Sequence, residues 1–432
     1  STQGVSSAAS DVYKRQVDTM NIPFKIPVIA LLVLFSMTIW AQEAKIGKVL
    51  PAWKEGYLDI HAINTGQGEC TFFILPDGTT MLVDAGEIRE KSPNIVPQKP
   101  NEETAPYETY AKYIAHFMKG TKHKAIDYML LTHFHIDHMG EINKGCKWAE
   151  NKAYQLTGIS GVGDCIPFKK AIDRGWPDYN DPIAPISKAF PNYLNFIKWQ
   201  KEKNGMEIEQ FKVGKKDQLV LVHNAAKYPT FEIRNIAANG RVWTGVEDIE
   251  RNYFIPTDQL SKSEWPDENQ CSIVFRVSYG KFDYFTGADL PAVTTLDWQN
   301  LELPVGSVTG PVEACKSNHH MNYDAMGVTL LKALRPQVVV VHNRKAQQPD
   351  IEVLRRILSA TKAYPGKKDV FSTNFHPATA LVAYPNTEQM AAKQGHIVIR
   401  VQPGGNEFYV YALDDTGDNY AVTSIHGPYI CN

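Results

Sequence analysis

The sequence predicts an α/β fold in which two mixed β-sheets pack face to face beneath outer layers of helix. Three observations predict it. Strand-like stretches cluster in two halves of the chain, with helical stretches between them. No run of Pro, Gly or Ser is rich enough to separate two domains. No heptad, fixed-period repeat or low-complexity tract suggests a coiled coil or solenoid. A chain of 432 residues can hold one large domain or two ordinary ones. Its 43% hydrophobic and 21% charged residues are those of a soluble globular protein. The net charge of −2 carries no basic excess of the kind that marks nucleic-acid binding, although a local basic patch is compatible with it.

The first elements concern targeting. Ser1–Thr19 precedes Met20, shows no feature of a fold and is set aside as a non-native leader (1–19). Met20 to Ala41 reads as a secretory signal: Lys25, then an apolar run from Ile26 to Trp40 broken by Pro27, Ser36 and Thr38. Its length and interruptions suit a cleaved peptide better than a spanning helix. A periplasmic or secreted location follows as the expectation. No cysteine follows the run, so no lipid-attachment signal is present. Residues 42–432 are expected to form one domain with a long middle insertion at about 145–255.

In that domain Leu58–Ile63, Cys70–Leu75 and Thr80–Val83 alternate like strands. The turns Asn64-Thr65-Gly66-Gln67-Gly68 and Pro76-Asp77-Gly78 join them, which predicts one antiparallel sheet. Glu103–Phe117 has helical spacing, and Ala125–Leu131 is a buried strand. Beyond the Pro- and Tyr-rich middle, a helix is expected over Phe190–Lys203, with strands at Gln218–Val222 and Phe231–Ile236. Strands follow at Cys271–Ser278 and Phe282–Thr286, then a helix at Met326–Leu334 and a strand at Gln337–Val341. A helix at Ile351–Thr361 and strands at Ile397–Val401 and Phe408–Ala412 close the pattern. The six cysteines have no C-x-x-C spacing, so a structural zinc site is not expected. In an exported protein they could pair, with Cys146 and Cys165 as the first pair to test.

The apolar strand ends in Thr132-His133-Phe134-His135-Ile136-Asp137-His138. Alternation along a strand puts His133 and His135 on one side, and Asp137 and His138 follow where the chain turns into a helix. Four imidazole and carboxylate donors in six residues are the set that zinc prefers. A solvated polar loop is the competing reading, but the preceding strand is too apolar for it.

This His-x-His-x-Asp-His pattern resembles the signature of the metallo-β-lactamase superfamily, whose αββα sandwich is the fold expected above. Leu82-Val83-Asp84-Ala85-Gly86 looks like the family's upstream Asp, which orients the metal loop from behind the ligands. Phe285-Thr286-Gly287-Ala288-Asp289 looks like the strand whose Asp bridges two metals. A narrower resemblance, to the extracellular hydrolase domain of the competence protein ComEC, rests on three stretches. These are Asn64-Thr65-Gly66-Gln67-Gly68-Glu69, Asn269-Gln270-Cys271-Ser272 and Lys316-Ser317-Asn318-His319-His320. It spans roughly Leu58 to the strand at Phe408, without that protein's membrane channel.

The resemblance implies two divalent ions, expected to be zinc with manganese as the alternative. His133, His135, Asp137, His138, Asp289 and His319 would be ligands and Asp84 a support. His320 would contact substrate or donate a proton, with Asn269 and Ser272 shaping the entrance. A hydroxide bridging metals about 3.5–4 Å apart would be the nucleophile, oriented by Asp137. One departure stands out. Where the superfamily supplies a third histidine to the first metal, this chain has Ala237-Ala238-Asn239-Gly240. Asp164, His223 and Asn239 remain open as replacements. The expected activity is a metal-dependent phosphodiesterase on a small or polymeric phosphate ester. The alternatives are a carbonyl ester, lactone or β-lactam hydrolase, and a binding protein that has kept the fold without catalysis.

Overall fold

The structure, a computed structural model, describes residues 44–89 and 92–432. The expected leader and signal lie outside the described residues. In the first half, strands β1 (Leu58–Ala62), β2 (Thr71–Ile74) and β3 (Thr80–Val83) form the antiparallel meander that the turns predict. Helix α1 (Pro106–Met118) returns the chain to β4 (Ile126–Leu131), which runs parallel to β3. A single turn, α2 (Ile136–Met139), follows. Then come α3 (Gly158–Cys165), β5 (Phe168–Asp173), α4 (Phe190–Asn204) and β6 (Glu207–Gln210), with β5 and β6 continuing the parallel run.

The second sheet begins with β7 (Phe231–Ala238), β8 (Arg241–Trp243) and β9 (Glu250–Asn252), followed by β10 (Val274–Tyr279) and β11 (Phe282–Thr286). Helix α5 (Glu302–Thr309) leads to β12 (Ala314–Lys316), α6 (Val328–Leu334) to β13 (Val338–Val341), and α7 (Ile351–Leu358) to β14 (Asp369–Ser372). After α8 (Pro377–Val382), strands β15 (His396–Val401), β16 (Glu407–Leu413) and β17 (Val422–Ile430) return to the first sheet. The strand orders are β17-β16-β15-β1-β2-β3-β4-β5-β6 and β14-β13-β12-β11-β10-β7-β8-β9. Each sheet is part antiparallel and part parallel, so both are mixed.

Three apolar layers hold this together. Between the sheets, Phe73, Leu130 and Ile399 face Phe275, Tyr284 and Val340. The outer face of the first sheet (Phe72, Leu82, Met129) is covered by Tyr110 and Phe117 of α1 and Phe196 of α4. The outer face of the second (Phe285, Val339, Val370) is covered by Val305, Leu331 and Leu354 of α5–α7. The result is a helix–sheet–sheet–helix sandwich.

The stretch 145–255, expected as a long insertion, is built into both sheets: it supplies α3, β5, α4, β6 and β7–β9. The strand expected at Gln218–Val222 is absent. Leu219 and Leu221 are buried and Val220 and Val222 exposed, which mimics a strand. The N–H groups of Val220 and Val222, however, donate to Tyr128 Oη and Thr79 Oγ1 rather than to a ladder. The Cys146–Cys165 pair is not formed, and all six cysteines are free. Cys146 donates instead to the Glu141 carbonyl. Among the described residues no helix is long and apolar enough to cross a membrane.

Candidate metal centre

The centre lies where β3, β4 and β11 end and their loops cross. Two glycines permit the crossing. A Cβ on Gly86 would lie 1.7 Å from the Asp137 carbonyl oxygen, and one on Gly68 2.5 Å from the Gly86 carbonyl carbon. With both bare, Glu69 N donates to Asp137 O (2.8 Å), Gly86 N to Glu69 O (2.8 Å) and Ala85 N to His138 O (2.9 Å). The turn bearing Glu69 is thereby stitched to the histidine loop.

Asp84 follows β3 with a left-handed backbone (φ 59°) that turns its carboxylate inward. Oδ1 accepts from Thr132 N (2.8 Å), and Oδ2 from Thr132 Oγ1 and His138 Nδ1 (both 2.7 Å). His138 Nε2 is thus aimed at Asp289 Oδ2, 3.1 Å away. His320 is set in the same way: Nδ1 donates to the His342 carbonyl (3.0 Å), leaving Nε2 at 3.2 Å from Asp289 Oδ2 and 3.4 Å from Asp137 Oδ2. Asp289 is fixed through its own N–H, which donates to Ser272 Oγ (3.3 Å).

Donor atoms of Glu69, His138, Asp289 and His320 all lie within 4.8 Å of one another, and all four residues are buried. His138 Nε2, His320 Nε2 and Asp289 Oδ1 are buried with no hydrogen bond of good geometry, and Glu69 Oε2 meets the Lys316 ammonium. Imidazoles whose Nδ1 is engaged and whose Nε2 converges on carboxylates are the donor set of a divalent-metal site. His133 and His135 adjoin it: His133 Nε2 is 3.2 Å from His135 Nδ1 and 3.9 Å from Asp289 Oδ2. The group fits a metal ion, and with it a metal-dependent hydrolase.

Several residues stand where the sequence did not place them. His320, not His319, faces the carboxylates. His319 donates Nδ1 to Asp324 (2.8 Å) and receives Asn269 Nδ2 at Nε2 (3.3 Å), on the wall of a cleft of about 480 Å³ beside Asp137 and His320. His319 and His320 are both left-handed (φ 42° and 53°), so the alternation of a strand does not apply to them. Asn269 therefore lies at the cleft, whereas Ser272 works behind Asp289. None of the three open replacements for the missing histidine joins the cluster. Asn239 is engaged with Arg174, exposed Asp164 accepts from Tyr154 Oη, and His223 stacks on His123 beside Asp127.

Three charged members escaped the sequence reading: Glu69, Lys316 and Arg344. Lys316, fully buried, lies 3.0 Å from Glu69 Oε2 and 3.6 Å from Asp289 Oδ1. Arg344 Nε donates to Asp137 Oδ2 (3.1 Å).

The electrostatics follow from burial and these contacts. Burial opposes charge on His320, but Asp289 and Asp137 outweigh it and raise its pKa to about 9. His138 is likewise held well above the usual imidazole range by Asp289 and Asp84. Asp289, despite burial, is held well below the carboxylate range by His320 and His138. Protons and a divalent cation compete for the same Nε2 atoms, so metal affinity falls as pH falls.

Support for the His319–His320 loop comes from Glu302, whose Oε1 accepts from Asn318 Nδ2 and Met326 N and Oε2 from Gly327 N. Burial outweighs these bonds and raises the Glu302 pKa to about 7. The folded state therefore holds a proton that the unfolded state has released between roughly pH 4.5 and 7. That stability is full below this window and is lost as pH rises through it, by at most about 1.4 kcal/mol per unit. Thermal unfolding from pH 5 to 8 should show this decline in the wild type and a flatter profile in Glu302→Gln. Equal slopes would remove Glu302 as the source.

No protein-family model matches the chain, and no curated protein matches it significantly. One solved structure that overlaps it, from Parabacteroides distasonis ATCC 8503, is provisionally named a metal-dependent hydrolase. The two share 13% identity and a TM-score of 0.34, over 74% of this chain and 96% of the other. So loose an overlap has no bearing on what this chain does.

Proposed function

We propose that this chain is an exported, metal-dependent phosphodiesterase. The observation that carries the hydrolase reading is the convergence of Glu69, His138, Asp289 and His320 beside an open cleft. Phosphate esters are favoured by the ComEC-like stretches. Export is favoured by the signal-like run from Met20 to Ala41. In this reading Glu69, His138, Asp289 and His320, with Asp137 beside them, would hold a divalent ion, and His133 and His135 would offer donors to a further one.

A bound divalent ion supplies Lewis-acid polarisation of the phosphoryl oxygen and acidifies water toward neutral pH. The chain's own groups do the rest. Asp84 and the His342 carbonyl fix the two imidazoles. Arg344 restrains Asp137. Asp324 accepts a hydrogen bond from His319 Nδ1 and so holds that ring at the wall of the cleft.

A second reading, a single-ion enzyme of another ester class or a non-catalytic binding protein, draws on Asn239. That residue stands where a third histidine is expected and is spent on Arg174. Metal content per chain, measured together with hydrolysis of bis(p-nitrophenyl) phosphate, separates the two. About two ions with turnover supports the phosphodiesterase. One ion or fewer without turnover sinks it, and cleavage of a lactone or β-lactam instead would reassign the chain to carbonyl chemistry.

A further inference from the structure

A second cavity, of about 390 Å³, adjoins the metal-site cleft, and Ile95 lines both. Its wall includes Gln67, Val96, Pro97, Arg89 and Glu102. Gln67 stands two residues before Glu69, so this cavity and the metal centre are built from one turn. The Gln67 side chain is buried, and its Nε2 donates to the Val96 carbonyl (3.4 Å). A carbonyl only accepts, so the amide orientation is fixed and Oε1 is the atom left over. It has no partner. A buried acceptor without a partner is costly unless a donor reaches it.

The charges of the cavity also select. Arg89 is paired with Glu87 at 2.6 Å, and Glu102 adds a carboxylate. Among the described lining residues the one cation, Arg89, is thus already engaged. Ile95, Val96 and Pro97 offer carbon surface beside the single acceptor.

We propose that this cavity is the subsite for the alcohol portion of the substrate: an uncharged group with carbon surface and a hydroxyl or N–H donor for Gln67 Oε1. The inference rests on the phosphodiesterase reading and narrows it to esters of hydroxylated, uncharged alcohols. Glycerol 3-phosphate and ethyl phosphate probe it, the first carrying the hydroxyls that the second lacks. By calorimetry the metal-loaded wild type should bind glycerol 3-phosphate about tenfold more tightly, and Gln67→Met should reduce that preference to about twofold.

Equal affinities in the wild type, or a preference untouched by Gln67→Met, overturn the subsite. Should the variant fold poorly, the wild-type comparison decides alone. Turnover of bis(p-nitrophenyl) phosphate is scored separately. Its absence with metal bound removes the phosphodiesterase reading, whereas turnover without the glycerol preference removes only the subsite.

Discussion

Asp289→Ala is expected to lose most of its bound metal and about 10³-fold of its turnover on bis(p-nitrophenyl) phosphate. The side chain is the hub of the cluster: His138 and His320 point their Nε2 atoms at Oδ2, and Lys316 stands beside Oδ1. Removing it deletes the carboxylate that draws both imidazoles inward and leaves Lys316 with Glu69 alone. Elemental analysis after dialysis and an initial-rate assay read the two losses, and a thermal melt shows whether the fold survives. A variant with wild-type metal content and rate would refute the assignment of Asp289. Asp289→Asn, which keeps the shape and removes the charge, separates electrostatics from packing.

The second large effect concerns a pair with no place in the chemistry. Arg174 and Glu268 are buried against each other through two 2.7 Å contacts, Arg174 Nε to Oε1 and Nη2 to Oε2. Glu268 Oε1 also accepts from Phe134 N (2.9 Å), between His133 and His135, and Arg174 lies 4.8 Å from the Phe134 ring centroid. Glu268→Ala leaves a buried guanidinium without its counter-ion, a change that costs about 3–5 kcal/mol. It also frees the peptide that sets the two histidines. Urea unfolding should show the loss in stability, and titration with zinc a weaker affinity. The double variant Arg174→Met/Glu268→Leu should recover much of the stability, because no charge is then stranded. A single variant within about 1 kcal/mol of the wild type would show that water reaches the pair.

What could be read in advance follows from locality. Thr80–Val83 and Phe282–Thr286 begin and end where predicted, because a short apolar run bounded by Asp-Gly or Gly carries its own limits. The cluster His133 to His138 was legible because its donors are neighbours in sequence. Glu69, Lys316 and Arg344 were not assigned to the centre: Glu69 and Lys316 stand in stretches quoted only as a resemblance, and the three come from segments far apart in sequence, Lys316 from the end of β12. The exchange of roles between His319 and His320 depends on two successive left-handed residues, which no periodicity reports. Strands β5 and β6 were hidden because Phe168–Asp173 places two lysines in its first half and Glu207–Gln210 is almost wholly polar.

The lysine at the heart of the cluster has a consequence for how the protein matures. Glu69 and Asp289 would repel each other in a dry interior, and many small metalloproteins stay unfolded until an ion quiets such repulsion. Here a covalently attached ammonium does that work from the moment the chain collapses, with the Arg344 guanidinium doing the same for Asp137. The carboxylates therefore have counter-charges that do not depend on an ion. Wherever the metal is met, the carboxylates it would join are already held together by cations of the chain itself.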